Sequence, residues 1–250
     1  MGQRPLLPCG YGGMTAFSIS SLMYVSAILI VVASGMGFSH EEELLTERWG
    51  YATLVDYSLS VIFVALYFTF NGIYHGTLRR NIFVIGGVVL FGHIVTMAYL
   101  CYLTFEHRSL RDALIVWNTN PDGEARGEMK RKNPLTWIIA GVAFVLFLYF
   151  LYVCVRAIQA ESLGIGWEKT KRNPWILLTF INNLIGLVFV VSYILISEQA
   201  TFYALPWILA LVFGGNGVSM LYVVHKMLSN TGASPLEAML TQNPRDGFLQ

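Results

Sequence analysis

Six stretches of the chain are apolar and almost free of charge: residues 14–39, 50–76, 82–105, 134–155, 174–197 and 202–225. Charged residues gather in the gaps between them. Each run matches the ~20 helical residues needed to cross a ~30 Å hydrocarbon core. In lipid every backbone N–H and C=O must be satisfied within the protein, so spans of this kind are helices. The second trio echoes the first. Trp49-Gly-Tyr-Ala-Thr-Leu-Val-Asp56 aligns with Trp175-Ile-Leu-Leu-Thr-Phe-Ile-Asn182, an offset of 126. Three spans per copy place the copies upside down to each other. The expected fold is an all-α integral membrane protein with six transmembrane helices, arranged as two three-helix repeats of inverted topology. Residues 1–106 form the first repeat with its N-terminal tail, 107–133 a polar connecting loop, 134–228 the second repeat and 229–250 a polar C-terminal tail.

Polar residues inside these runs are not scattered. Thr53, Asp56, Ser60, Tyr67, Asn71 and His75 fall within one arc of the second run at about 100° per residue. At the same offset the fifth run presents Thr179, Asn182, Gly186, Tyr193 and Ser197, while His93 and Thr96 are echoed by Asn216 and Ser219. A polar stripe facing lipid is too costly, so these faces turn inward. The candidate site is therefore an intramembrane polar seam of Asp56, Ser60, Tyr67, His93, Asn182 and Asn216. Asp56 is the one acidic residue inside a run, roughly 10 Å from the start of its helix at 1.5 Å per residue. An ionised carboxylate at that depth costs on the order of 3 kcal/mol unless it is paired or hydrated. Asp56 is therefore protonated, hydrated or paired, with His93 or a neighbouring tyrosine hydroxyl as the candidate partner.

Composition adds to this picture. The 250 residues are 55% hydrophobic and 12% charged with a mean hydropathy of +0.57, and a soluble domain of this size rarely carries so little charge. A net charge of +1 with no basic helix argues against nucleic acid as a partner, leaving the lipid bilayer and either a second copy or a larger membrane complex. Three cysteines, Cys9, Cys101 and Cys154, make no disulfide framework. The N-terminal segment lacks the pattern of a cleaved signal, so the first run serves as its own insertion signal. In the six-span arrangement the two faces carry nine and seven Lys/Arg, with the 106–133 connection as the exception to an otherwise clear short-loop bias. Both termini are read as cytoplasmic.

No chemistry of catalysis stands out. His75 with His225, and His40 with His107, invite a haem, but all four lie at run ends where an imidazole reaches water. No Cys/His spacing suits zinc, no Gly-rich phosphate loop follows a strand, and no Ser/His/Asp set assembles. Neither a cofactor nor an enzymatic activity is expected. The best reading is a small-solute or ion/proton-coupled transporter-like protein. The alternative is a non-catalytic subunit or assembly factor of a larger complex. No run carries the mid-span Gly/Pro interruption that marks many transporter sites.

Glu43-Leu-Leu-Thr46, followed by Trp49-x-x-Ala52-Thr53-Leu54-Val55-Asp56-Tyr57, resembles the DUF1475 family of uncharacterised plant-type polytopic membrane proteins. Gly92-x-Ile94-x-Thr96-x-Ala98-Tyr99 is similar to a second stretch of that family, so the resemblance covers about residues 36–105. It implies a membrane-embedded helical fold with Asp56 as the family's polar residue. It implies no activity.

Overall fold

Every regular element in the computed structural model, which describes residues 11–35, 41–115, 133–198, 201–229 and 234–240, is a helix. In chain order these are α1 (Tyr11–Ala33), α2 (Glu41–Thr46), α3 (Arg48–Tyr74), α4 (Leu78–Phe91), α5 (His93–His107) and α6 (Leu110–Leu114). There follow α7 (Pro134–Ala160), α8 (Leu163–Arg172), α9 (Pro174–Ser197), α10 (Thr201–Gly214), α11 (Gly217–Ser229) and α12 (Pro235–Leu240). The long helices start on clear signals. Asn133 Oδ1 accepts from the Leu135 N–H at 3.0 Å ahead of α7, and Asn173 Oδ1 accepts from the Trp175 N–H at 2.9 Å ahead of α9. In both, proline fills the first helical position, where its missing N–H has no intrahelical partner to lose.

Among the described residues, four helices are long and apolar enough to cross a membrane: Met14–Ala33 within α1, then α3, α7 and α9. The expected six spans reduce to four because the runs 82–105 and 202–225 turn back on themselves. Gly92 (φ +78°) separates α4 from α5, and Gly215 (φ +69°) lies between α10 and α11. Across the first break, Tyr99 donates its hydroxyl hydrogen to Asn81 Oδ1 at 2.5 Å, and Arg80 Nη1 reaches Glu106 Oε2 at 3.4 Å. Residues 80 and 106 of a continuous helix would stand roughly 40 Å apart. Across the second, the Trp207 ring meets those of Tyr222 and His225, each with centroids 5.1 Å apart. Both runs are antiparallel helical hairpins. An arm of 14 residues is about 21 Å long, enough to carry a tip beyond the middle of a ~30 Å core.

The inverted arrangement is corrected as well. Asp56 bonds to Asn183, Ser60 faces Gly186, and Tyr67 packs edge-on against Phe189 and Tyr193 with centroids 5.5 and 5.4 Å apart. Residue numbers rise together on the two helices, so α3 and α9 run side by side in the same direction. The physical reason is parity: two crossing helices and a returning hairpin bring the chain back to the face where it began.

Two segments expected as polar connections carry buried helices. Within 107–133, Ala113 and Leu114 of α6 are buried, and both of their carbonyls accept from the Tyr67 hydroxyl, at 3.2 and 2.9 Å. Within 229–250, Ala238, Met239 and Leu240 of α12 are buried, and the Met239 carbonyl accepts from Tyr193. At the opposite face Lys169 Nζ donates to Glu47 and Glu161, each at 2.6 Å, and the Glu161 and Glu47 carboxylates hold that ammonium above its ordinary pKa. Apolar side chains such as Leu22, Val32, Val145, Phe202 and Phe213 point outward, as a lipid-facing surface requires.

Candidate functional site at the hairpin tips

A helix that starts inside a membrane leaves its first N–H groups without partners, and no water is at hand to satisfy them. Here side chains from the neighbouring long helices do so. Asn182 Oδ1 on α9 accepts from the His93 N–H, the first residue of α5, at 2.8 Å. Asp56 Oδ1 on α3 accepts from the Gly217 N–H, the first residue of α11, at 3.0 Å. The Asp56 carboxyl group thus sits at the positive end of a helix dipole, which favours its ionised form.

The other Asp56 oxygen accepts from Asn183 Nδ2, and Asn183 Oδ1 accepts from Asn216 Nδ2 at 2.6 Å. A directed chain therefore runs from Asn216 through Asn183 to Asp56. Both tips need glycine twice over. A Cβ on Gly92 would lie 1.9 Å from Asn182 Nδ2, and one on Gly215 would lie 2.7 Å from Asp56 Oδ2. Gly217 approaches α7 so closely that a Cβ would meet Phe150 Cδ1 at 2.0 Å.

Beside this chain lies a second, unsatisfied group. A Cβ on Gly186 would fall 2.4 Å from Ser60 Oγ and 2.6 Å from His93 Nε2, so both atoms pack closely against this glycine. Both side chains are fully buried, and neither atom has a hydrogen-bond partner; Asn216 Oδ1 is a third such atom. The other histidine nitrogen, Nδ1, lies 3.2 Å from Thr96 Oγ1, and the ring meets Tyr57 edge-on at 5.3 Å. Buried polar atoms without partners are uncommon and mark places where water, an ion or a ligand group is taken up.

Five of the six expected seam residues, Asp56, Ser60, His93, Asn182 and Asn216, converge here. Tyr67 does not. It lies eleven residues further along α3, roughly 16 Å away, in the aromatic layer that holds α6. The expected Asp56–His93 pairing is also replaced: the carboxylate meets Asn183 and the α11 backbone, and His93 turns toward Ser60. Asn183, Gly92, Gly186, Gly215 and Gly217 belong to the site as well. The run Gly214-Gly215-Asn216-Gly217 is the signal that reveals the second tip, since Gly and Asn cluster where backbone turns. It also corrects the expectation that no apolar run is interrupted. Of the histidines considered for haem, His75 faces His107, with centroids 5.6 Å apart, while His225 stacks on Trp207 and His40 lies outside the described residues.

The fold and site define a class, a helical protein with, among the described residues, four helices long and apolar enough to cross a membrane and two hairpins whose tips are capped by α9 and α3. No family model, curated protein or solved structure matches the chain.

Proposed function

We propose that this protein is a transporter-like membrane protein that carries a small cation, or a solute coupled to protons, past the hairpin tips. The observation that carries this reading is that Asp56 and the unsatisfied Ser60 Oγ and His93 Nε2 lie where α3 and α9 cap the tips of two broken helices. Irregular backbone at membrane depth is tolerated where it is buried in protein or lines a passage, and discontinuous helices in transporters place their half-helix ends at the binding site. Asp56 and Ser60 are one helical turn apart on the same face of α3, so an ion leaving the carboxylate finds the hydroxyl next.

The architecture we propose is two copies of a helix–helix–hairpin unit in the same orientation, related by a two-fold axis along the membrane normal. Pairs at the offset of 126 support it: Asp56 with Asn182 at the tips, Tyr67 with Tyr193, and the Ala113 and Met239 carbonyls that these tyrosines bind. Charge supports it too. The face of the hairpin bases then takes Arg79, Arg80, Arg108 and Arg111, against Arg48, Arg156, Lys169, Lys171 and Arg172 on the other. The connection whose sequence carries Arg126, Lys130, Arg131 and Lys132 leaves from residue 115 and resumes at residue 133 on the face of the hairpin bases. The basic 106–133 connection stops being an exception, and the hairpin-base face is the cytoplasmic one.

The test is flux into liposomes reconstituted with the purified protein, under sodium, potassium and proton gradients applied in turn. Asp56→Asn should abolish an ion-dependent flux that wild type shows. Equal flux in both, at the level of empty liposomes, would overturn the reading.

A further inference from the structure

On the face away from the hairpin bases, the start of α3 and the end of α7 leave a cleft of about 310 Å³. Arg48, Tyr51, Tyr149, Tyr152 and Arg156 line it, with Thr46 from α2. The Tyr51 and Tyr149 hydroxyls meet at 2.6 Å across the gap. Among the described residues neither arginine forms an ion pair. The acids nearest to them in sequence, Glu47 and Glu161, are both held by Lys169 at 2.6 Å. Two guanidinium groups thus share one opening without an anion from the protein to separate them. Arg48 is also the first residue of α3, so the positive end of that helix faces the same gap.

Packing does not require these residues. At the offset of 126, and resting on the two-fold architecture proposed above, the corresponding positions are Pro174, Leu177, Met23, Ser26 and Ile30. The same helix pairing is built in the other half with no charge and no tyrosine. The arginines and aromatic hydroxyls are therefore an addition to one half alone.

We propose that this cleft binds a phosphate-bearing anion, presented by the headgroup of an acidic membrane lipid. Two guanidinium forks offer the planar, multiple N–H donors that phosphate oxygens accept, which a single ammonium does not match. Tyrosines sit at headgroup depth by preference, with ring toward the chains and hydroxyl toward water. A basic cleft between helices suits an acidic headgroup, here one in the leaflet away from the hairpin bases, and each arginine near such a surface contributes an attraction of a size that binding measurements resolve. The open side of the cleft, where Tyr149 and Tyr152 are exposed, lets the acyl chains stay in the bilayer.

The experiment uses the full chain in a neutral detergent, titrated with dioleoylphosphatidylglycerol, with dioleoylphosphatidylcholine, or with inorganic phosphate. Bound lipid is counted by native mass spectrometry, and the thermal unfolding midpoint is followed alongside. Wild type should bind one phosphatidylglycerol in preference to phosphatidylcholine and rise in midpoint. Arg48→Gln and Arg156→Gln should each weaken that binding about fivefold, and Lys171→Gln should leave it unchanged. Because both arginines are exposed, these variants should keep the wild-type midpoint without lipid. Arg48→Lys with Arg156→Lys retains the charge and checks that the fold is intact. A midpoint rise with inorganic phosphate alone, lost in the glutamine variants, would support the phosphate site and assign it to a soluble anion. Equal binding of the two lipids, or phosphatidylglycerol binding that survives the double glutamine variant, would overturn the proposal. None of these readouts depends on transport.

Discussion

Asp56 and Gly217 are separated by 161 residues, yet the carboxylate accepts the glycine N–H at 3.0 Å. The partner relationship, Asn182 with the His93 N–H at 2.8 Å, repeats it at the other tip with an amide in place of the acid. One broken helix is therefore capped by a carboxyl group and the other by an amide. The asymmetry gives the first prediction.

Asp56→Asn should fold nearly as well as wild type. Its single amide oxygen takes the Gly217 N–H, and the new NH₂ group faces Asn183, which flips to accept it. That flip passes to Asn216, whose Oδ1 has no partner to lose. The cost should stay within about 1 kcal/mol, while Asp56→Leu strands the Gly217 and Asn183 donors and should cost at least ~2 kcal/mol. Unfolding midpoints of the two variants, measured together with flux, separate the structural role of the carboxylate from its part in transport.

Glycine at the tips should be irreplaceable. Gly92→Ala and Gly215→Ala each force a side chain into a positive φ and into contact with Asn182 or Asp56. Gly92, at φ +78° and ψ −166°, occupies a region open essentially to glycine alone, and a positive φ of this kind costs on the order of 1–3 kcal/mol before the clash is counted. Gly86 is the control, because a Cβ there meets nothing within 4 Å. Gly86→Ala should be neutral or slightly stabilising, since alanine favours a helix interior over glycine by about 1 kcal/mol. Thermal unfolding of all three in one detergent checks the contrast.

The hairpins also predict sidedness. Arg108→Cys and Ser229→Cys should react with an impermeant maleimide from one side of sealed vesicles, and Lys171→Cys only from the other. Six continuous spans would instead put Ser229 with Lys171 and leave Arg108 opposite. Labelling in that second pattern would refute the hairpins.

Tyr193 ties α12 to the bundle through the Met239 carbonyl. Tyr193→Phe keeps the ring packing and removes only the hydroxyl donor, at a cost of about 1–2 kcal/mol. Hydrogen exchange over residues 235–240 should accelerate, and flux should persist. Tyr67→Phe should do the same to residues 110–114, through the Ala113 and Leu114 carbonyls.

Much of this was written in the pattern of residues. Apolar runs, charges kept to the gaps and the offset of 126 determine an all-helical chain with long membrane-compatible helices. The inward turn of the stripe carrying Asp56, Ser60, His93, Asn182 and Asn216 follows from the cost of facing a polar side chain to lipid. What the pattern did not determine was direction. Hydropathy counts apolar residues and is blind to whether a run of 24 crosses a bilayer or enters and returns, because both bury the same side chains. That choice rests on the backbone at Gly92 and Gly215, on clasps such as Arg80 to Glu106 between arms, and on caps that reach in from other helices. Those are contacts between residues far apart in the chain. Tertiary structure alone therefore made α3 and α9 parallel, separated Tyr67 from the tips and packed Ser60 and His93 against one glycine.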